Sequence, residues 1–206
     1  FFDVGSNKGD WSIKIKKKYK YAKFFCFEPI PRITKKFKNQ ILYNLAIDKK
    51  SSKKKNFFIT KEKVTSSLLL QNRSIINKFV TFKDSKGLIH RKSDYNVVKK
   101  ISIETVRLDH IIKKNKIKEI HYLKIDAEGN DLNVLQSLGS LTKKVWGFEL
   151  ETWNKKNTLW KNQKWLGQCI KYIKSKNFII AEKFVHGKGL STDLLCIRKD
   201  LFKRQS

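Results

Sequence analysis

Short apolar runs separated by amphipathic segments divide the start of the chain into alternating strands and helices. Phe1–Gly5 is an apolar strand that ends at a glycine, Lys23–Glu28 is a second strand, and Gln40–Ile47 is a third. The segments between them, near Asp10–Tyr19 and in a lysine-rich stretch that ends near Asn39, are long enough for helices. Strands that alternate with helices in this way predict βαβ units and a parallel sheet.

The same rhythm returns in the second half of the chain and ends in an antiparallel pair. The elements predicted there, in chain order, are strand His121–Asp126, helix Gly129–Lys143, strand Val145–Glu151, helix Leu166–Ser175, and strands Phe178–Val185 and Asp193–Arg198. Leucines recur at helical spacing in the first of these helices and give it an apolar face that can cover a sheet. We therefore predict an α/β fold with a mostly parallel central sheet of about seven strands, a C-terminal antiparallel strand, and helices on both faces.

A less regular region lies between these two halves, from about residue 51 to residue 106. It contains the strand-like pieces Asn56–Thr60, Phe79–Phe82 and Lys100–Val106 between polar, lysine-rich turns, and Leu108–Asn115 follows as a short helix. We interpret it as an inserted hairpin region in a single domain that spans residues 1–206, since the sequence has neither repeats nor a linker. The sequence has no methionine, which predicts that the natural start is missing.

Composition leaves two classes of partner open. The 47 basic and 18 acidic residues give a net charge of +29, which suits a nucleic acid or an anionic membrane surface. However, only six of the basic residues are arginine, the lysines are spread along the whole chain, and compositional drift explains them equally well. No apolar run approaches the roughly 20 residues of a membrane span. Three scattered cysteines predict buried, reduced thiols in a cytoplasmic protein rather than disulfides or a zinc site.

The first candidate site is the glycine-rich loop D-V-G-S-N-K-G, residues 3–9, between a strand and a helix. Its glycines permit a sharp turn and a close approach of a ligand to the backbone. A dinucleotide fingerprint that began at Gly5 would need glycine where Asn7 and Asp10 stand, so NAD binding is disfavoured. The carboxylate of Asp3 suits an ammonium or hydroxyl group better than a phosphate. S-adenosylmethionine (AdoMet) fits these features better than NAD does, and an ordinary tight turn is the alternative.

Two further sets of carboxylates follow predicted strands. Glu28 ends the second strand, just before Pro29, where an acidic residue can accept hydrogen bonds from both ribose hydroxyls of a nucleoside. Asp126 and Glu128 end the strand that begins at His121, and carboxyl ends of parallel strands face the ligand crevice. Either carboxylate of this second set can instead cap the following helix, whose N-terminus favours negative charge.

In this order, these blocks resemble the FkbM family of methyltransferases. The matching stretches are F-D-V-G-S-N-K-G (2–9), F-E-P (27–29), T-S-S-L (65–68), I-E-T-V-R-L-D (103–109), L-K-I-D-A-E-G (123–129), Val134-Leu135 and Phe148-Glu149. The resemblance runs to about Glu151, and the last part of the chain matches poorly. It implies a Rossmann-like class I methyltransferase fold that uses AdoMet to methylate a hydroxyl of a sugar, a glycan or a secondary metabolite.

The resemblance also assigns residues to the cofactor and the acceptor. The residues expected to bind AdoMet are Asp3, Gly5, Ser6, Asn7 and Gly9 at the methionine part, Glu28 and Pro29 at the ribose, Asn44 and Ala46 near the adenine, and Asp126. Ser66 and Ser67 are expected near the cofactor or acceptor. Apart from the resemblance, Trp153 begins an aromatic, lysine-rich stretch that could stack a sugar ring or a nucleobase or could pack over the sheet edge, and Glu149 is a further acceptor-side candidate. The acceptor oxygen must be held near the methyl group and lose a proton, for which Asp126 and Glu128 are the first candidates.

Several alternatives remain open at this stage. Asp126 could hold a magnesium ion, although no complete metal-ligand set is visible, and we predict no metal. The favoured acceptor of the methyl group is a small molecule or a glycan, and the ribose of RNA is the second candidate. Base N-methylation is disfavoured, because the strand ends in D-A-E-G (126–129) and not in the motif that grips a planar base. A non-catalytic, polyanion-binding domain of the same fold is the alternative from another class.

Overall fold

The computed structural model describes residues 1–78, 81–83, 89–187 and 189–202, and these ranges contain twelve strands and six α-helices. The strands are β1 Phe2–Val4, β2 Phe24–Phe27, β3 Gln40–Tyr43, β4 Ala46–Ile47, β5 Ser52–Thr60, β6 Thr81–Lys83, β7 Ile89–Arg91, β8 Val97–Val106, β9 Leu123–Ile125, β10 Gly147–Trp153, β11 Phe178–His186 and β12 Ser191–Arg198. The α-helices are α1 Asp10–Lys18, α2 Arg73–Ile76, α3 Leu108–Lys114, α4 Asp131–Gln136, α5 Leu166–Ser175 and α6 Lys199–Phe202. Three short 3-10 segments complete the set, at Lys63–Thr65, Lys92–Tyr95 and Gly139–Lys144.

Seven strands form the large sheet, in the order β3-β2-β1-β9-β10-β12-β11. Neighbouring strands from β3 to β10 run parallel, whereas β12 is antiparallel to both β10 and β11. The prediction of a mixed α/β fold with a large, mostly parallel sheet is therefore confirmed. The carboxyl ends of β1, β2, β9, β10 and β11 all lie along one edge of this sheet.

The two faces of the large sheet differ in chemistry. Phe2 and Val4 of β1 lie in the main apolar cluster together with buried residues of α3, α4 and α5. Asp3, between them, points to the opposite face, where it accepts a hydrogen bond from Ser12 of α1. Because successive strand residues alternate between faces, α1 covers one face and the later helices cover the other. The face that carries Asp3 is the polar one.

A second sheet of three strands, β4-β8-β5, lies beside the large one. β5 and β8 pair antiparallel over most of their length, and β4 pairs parallel with β8. Two of the strand-like pieces predicted in this region are thus strands. Of the third, Phe79 and Val80 lie outside the described residues, and Thr81–Lys83 forms a small antiparallel pair with Ile89–Arg91.

The prediction of a lysine-rich helix after Pro31 is wrong, since residues 29–39 are irregular in the structure. Arg32 and Asn39 have positive φ angles of 61° and 66°, which a helix does not allow. Instead, this segment bonds the loop that follows β1, because Lys35 N donates to the carbonyl of Lys8 at 3.1 Å. Tertiary contacts override helix propensity here.

Other element boundaries also differ from the sequence expectation. The third strand ends at Tyr43, and the Ala46–Ile47 piece belongs to the second sheet. The helix expected over Gly129–Lys143 is α-helical only to Gln136 and continues as a 3-10 segment, with Gly139 at a φ of +54°. The strand expected to end at Glu151 extends two residues further, which places Glu151 inside β10.

The three cysteines, Cys26, Cys169 and Cys196, are free and buried, as expected. Within the residues that the structure describes, no helix is long and apolar enough to cross a membrane.

Candidate cofactor and acceptor site

The glycine loop lies where β1, β2 and β9 meet. The backbone N–H groups of Gly5 and Ser6 both donate to the carbonyl of Phe27, at 3.0 and 3.1 Å. Gly5 has a φ of +75°, and a Cβ atom at this position would overlap the carbonyl oxygen of Asp126. Glycine is therefore required for the turn and for its contact with the end of β9.

The remainder of the loop is held from one side by the irregular segment after β2. Thr34 donates to the carbonyl of Asn7, and its Oγ1 lies 3.4 Å from Ser6 Oγ. Gly9, at a φ of +81°, faces the Thr34 methyl group. The loop is thus fixed by side chains rather than left open, and the sequence offered no signal for Thr34.

Glu28 ties the loop to the end of β2. Its carboxylate accepts hydrogen bonds from Asn7 N at 2.9 Å and from Ile30 N at 2.8 Å. The residue is 6% exposed, and burial raises its pKa to about 7 although both N–H groups lower it. A carboxylate has about four acceptor positions, so two remain for a ligand. Asn44, also predicted here, donates to the Glu28 carbonyl at 3.3 Å.

Two buried acceptor atoms at this edge have no hydrogen-bond partner among the described residues. They are Oδ1 of Asp3 and Oδ1 of Asn7. A buried acceptor without a donor costs free energy, so a ligand that brings donors gains from both atoms. Both belong to the predicted methionine end of the cofactor site.

Lys124 joins the ends of β1 and β9. Its Nζ lies 3.7 Å from Asp3 Oδ1 and donates to Asp126 Oδ2 at 3.0 Å. Burial alone would lower the pKa of Lys124, but the carboxylates of Asp126 and Asp3 raise it overall. The sequence does not indicate a role for this lysine, although its pairing opposite Asp3 places it on the same face of the sheet.

The turn after β9 leads into α4 and is held by a carboxylate. The carboxylate of Asp131 accepts hydrogen bonds from Ala127 N and Gly129 N, both at 2.9 Å. Glu128 has a φ of +48°, uncommon for a side chain of this kind, and its carbonyl accepts a hydrogen bond from Ser67 at 2.7 Å. Asp131 thus holds the turn that precedes α4, no described side chain caps the first N–H groups of this helix, and the strained turn presents Glu128 at the sheet edge.

Glu151 extends the carboxylates onto the next strand. Burial, and after it the nearby carboxylates of Asp126 and Asp193, raise its pKa to about 8. Burial also raises the pKa of Glu128, followed by the charges of Asp126 and Glu151. The carboxyl groups of Asp126, Glu128, Glu151 and Asp193 therefore influence one another electrostatically. The sequence did not reveal this set, because it does not show that Glu151 lies inside β10, opposite Asp193.

We expect the substitution Glu151→Gln to stabilise the chain increasingly as the pH rises. Below the unfolded value of 4.5 both states hold the proton, whereas between this value and the raised pKa of about 8 mainly the folded state keeps it. Each increment of pH in that window therefore lowers the free energy of unfolding of the wild type but not of the glutamine variant. Thermal unfolding at about pH 5 and about pH 8.5 measures the difference.

Glu104→Gln is the matched control, because the side chain of Glu104 is 42% exposed and pairs with Lys53 on the second sheet. A stability difference between Glu151→Gln and wild type that is equal at both pH values would contradict the prediction.

The structure places the other predicted acceptor residues as follows. Ser66 and Ser67 are buried, and their hydroxyls bond the protein itself, at Thr60 N and at the Glu128 carbonyl. Glu149 accepts a hydrogen bond from Tyr122 at 2.9 Å on the polar face of the sheet. Trp153 is 4% exposed and packs in a separate apolar cluster, which favours a packing role.

The predicted adenine neighbour Ala46 lies in the second sheet, where it is buried and pairs with Thr105. Pro29 directly follows Glu28 at the end of β2. Within the described part of the chain, His, Cys, Asp and Glu side chains form no group arranged to hold a metal ion.

Comparison with known proteins agrees with this architecture. Residues 3–180 match the family model described as a methyltransferase FkbM domain. With its mostly parallel sheet and its glycine loop, the chain is a methyltransferase domain. It belongs to the FkbM family, so the resemblance inferred from the motifs is confirmed. No curated protein sequence matches the chain.

Proposed function

We propose that the chain is an AdoMet-dependent O-methyltransferase whose acceptor is a hydroxyl of a sugar, a glycan or a secondary metabolite. One observation carries this proposal: the glycine loop, Glu28 and the turn at Asp126 meet at a single edge of the sheet. Gly5 touches the Asp126 backbone, and Glu28 bonds the backbone of Asn7. The strand order, with one antiparallel strand near the end, supports the Rossmann-like class I fold that the family resemblance implies.

The residues present suit AdoMet. The ammonium group of its methionine part would supply donors to Oδ1 of Asp3 and Oδ1 of Asn7, which accept no hydrogen bond from the described residues. The free acceptor positions on Glu28 suit two ribose hydroxyls, and Asn44 adjoins this point on the adenine side. When bound, AdoMet supplies an electrophilic methyl group on a sulfonium.

The chain's own contribution is to hold the acceptor oxygen and to receive its proton. Asp126 and Glu128 lie at the carboxyl end of β9, beside the glycine loop, where an acceptor hydroxyl can donate to a carboxylate. AdoMet would supply the methyl group for the acceptor oxygen, and the proton of the hydroxyl would pass to Asp126 or Glu128 and then to solvent. Because an alcohol loses its proton late, a nearby carboxylate is an adequate base.

Methylation of an RNA ribose is the second candidate, favoured by exposed lysines on β5 and β8, among them Lys53 and Lys100. The edge that holds the candidate site, in contrast, is rich in carboxylates, which repel phosphates. RNA bound through the lysines should dissociate as salt is raised, whereas AdoMet binding should not change greatly.

Calorimetric titration with S-adenosylhomocysteine, with NAD⁺ as control, tests the proposal. We expect the wild type to bind the first ligand only. Glu28→Ala should weaken binding at least about tenfold, because it removes charged hydrogen-bond acceptors. Glu104→Ala removes a carboxylate that pairs with Lys53 on the second sheet and should bind like wild type.

Since Glu28 also holds the loop, thermal unfolding of each variant accompanies the titration. A folded wild type that binds NAD⁺ but not S-adenosylhomocysteine would overturn the proposed cofactor.

A further inference from the structure

The edge of the large sheet opposite the candidate site is lined by exposed lysines. Every strand of this sheet except β12 begins at that edge, and β12 ends there. Since neighbouring strands are spaced by about 4.8 Å, the row is roughly 24 Å long from β2 to β11. The exposed lysines next to these strand ends, which we call the amino edge, are Lys23 before β2, Lys118 before β9, Lys143 before β10, Lys176 before β11 and Lys199 after β12.

Positive charge is in excess at the amino edge. Glu119 and Asp200 adjoin the same lysines in sequence and bring negative charge to it. However, Asp200 already accepts a hydrogen bond from Arg198 at 2.8 Å, so that charge is compensated locally. The amino edge therefore presents mainly ammonium groups to whatever approaches it.

The end of α1 contributes the densest part of this charge. Six lysines lie within residues 14–23, and the sequence has no acidic residue from Trp11 to Phe27. Lys16 donates to the carbonyl of Lys20 and so closes the turn after the helix. The exposed lysines of this segment other than Lys23 are Lys14, Lys17, Lys18 and Lys20. Clusters of about four to eight basic residues attract anionic lipid headgroups.

Two exposed tyrosines lie among these lysines. Tyr19 is 44% exposed and Tyr21 is 97% exposed. The ring of Tyr19 lies 5.2 Å from the ring of Phe1, the residue before β1, which places the end of α1 where the strands begin. Tyrosine rings are enriched where lipid meets water, and lysine stems can lie along apolar groups while their ammonium groups reach the headgroups. Tyr21 and its neighbours have this combination.

Charge and candidate site are thus separated along the strands. The glycine loop, Glu28 and the turn at Asp126 lie at the carboxyl ends of β1, β2 and β9, whereas the lysines lie at the opposite ends. A bilayer that contacts the amino edge therefore leaves the candidate site open to solution.

We propose that the amino edge and the end of α1 form a docking surface for a bilayer with anionic lipids. The cations are lysines, and the nearby Arg198 is already paired with Asp200. Lysine is a compact point charge that suits a diffuse layer of headgroups, whereas specific recognition of nucleic-acid phosphates favours the arginine fork. The docking surface contains no residue of the candidate site, so its test does not depend on the proposed function.

Sedimentation with lipid vesicles tests the docking surface. Vesicles of phosphatidylcholine alone are compared with vesicles of equal amounts of phosphatidylcholine and phosphatidylserine. We expect the wild type to bind the anionic vesicles at least about tenfold more tightly, and this binding should weaken as salt is raised.

Two triple variants that each remove three positive charges locate the binding. The variant Lys18→Gln/Lys20→Gln/Lys23→Gln should bind anionic vesicles at least about tenfold more weakly than wild type. The matched control changes three exposed lysines of the second sheet and should bind nearly like wild type. It is Lys53→Gln/Lys54→Gln/Lys100→Gln. Thermal unfolding of both variants checks that they are folded.

A second pair of variants tests the exposed ring. Tyr21→Ala should weaken binding to anionic vesicles at least about threefold, because it removes an aromatic group that can enter the headgroup layer. Val98→Ala, at a side chain of β8 that is 64% exposed, should leave this binding unchanged.

Three results would overturn the docking surface. Equal weakening by both triple variants would mean that net charge alone brings the chain to the bilayer. Equal binding to both kinds of vesicle would mean that anionic lipid is not recognised. Tighter binding of poly(U) RNA than of anionic vesicles, lost only in the variant at Lys18, Lys20 and Lys23, would assign the surface to RNA instead.

Discussion

Replacing Gly5 with alanine is expected to cost on the order of 3 kcal/mol or more in unfolding free energy and to abolish cofactor binding. The residue has a φ of +75°, which costs alanine roughly 1–2 kcal/mol. In addition, the new Cβ atom would overlap the Asp126 carbonyl, which is backbone and cannot rotate away. The end of β9 must therefore move from the glycine loop, and the predicted site opens. Urea unfolding and titration with S-adenosylhomocysteine measure the two effects.

Gly189→Ala is the matched control for this substitution. Gly189 has a similar φ of +82°, but a Cβ atom there would meet no described heavy atom within 4 Å. Gly189→Ala should therefore lower the free energy of unfolding only by the conformational penalty of roughly 1–2 kcal/mol and should leave cofactor binding unchanged. Equal losses of stability for both variants would mean that the contact between the loop and β9 contributes nothing beyond the φ angle.

The alternation of strands and helices was predictable because it depends on local periodicity. β1, β2 and β9 each consist of a short apolar run that ends near a glycine or a proline, and α5 agrees with its expected bounds, Leu166–Ser175. The failures came where long-range contacts decide the local conformation. The lysine-rich stretch after Pro31 has the composition of a helix, but Thr34 and Lys35 bond the glycine loop instead.

The candidate site was predictable where the chain itself brings the residues to a strand end. Glu28 and Asp126 were found in this way, since carboxyl ends of parallel strands converge. Lys124 and Asp131 were not, because their roles depend on contacts across the turn and between strands. His186 and Asp193 belong to an antiparallel pair whose register the sequence does not reveal, so their contact emerged only in three dimensions.

The uneven distribution of charge is the structural point that bears most on function. The chain as a whole has a net charge of +29, yet Asp3, Asp126 and Glu151 lie together at one edge of the sheet. Lys124 is in direct ion-pair contact with the first two of these. The net charge therefore describes the outer surface and says little about the ligand of the site.

We expect Lys124→Met to lower the free energy of unfolding by about 3–5 kcal/mol near neutral pH. The substitution keeps the apolar stem but removes the ammonium that neutralises Asp3, which is 1% exposed, and Asp126. Removing one partner of a buried ion pair leaves an uncompensated charge, and that penalty exceeds the lost attraction alone. Urea unfolding at a fixed pH measures the change.

The double variant Lys124→Met/Asp3→Asn distinguishes this cause from lost packing. If the uncompensated carboxylate causes the loss, removing its charge as well should recover about half or more of the lost free energy. The asparagine of Asp3→Asn would retain an oxygen that can accept the hydrogen bond from the Ser12 hydroxyl, so the double variant keeps this contact. If the double variant were as unstable as the sum of the two single variants, the two residues would act independently. The loss in Lys124→Met would then not arise from the charge left on Asp3, and the contact of Lys124 with Asp126 would be the ion pair that joins it to the end of β9.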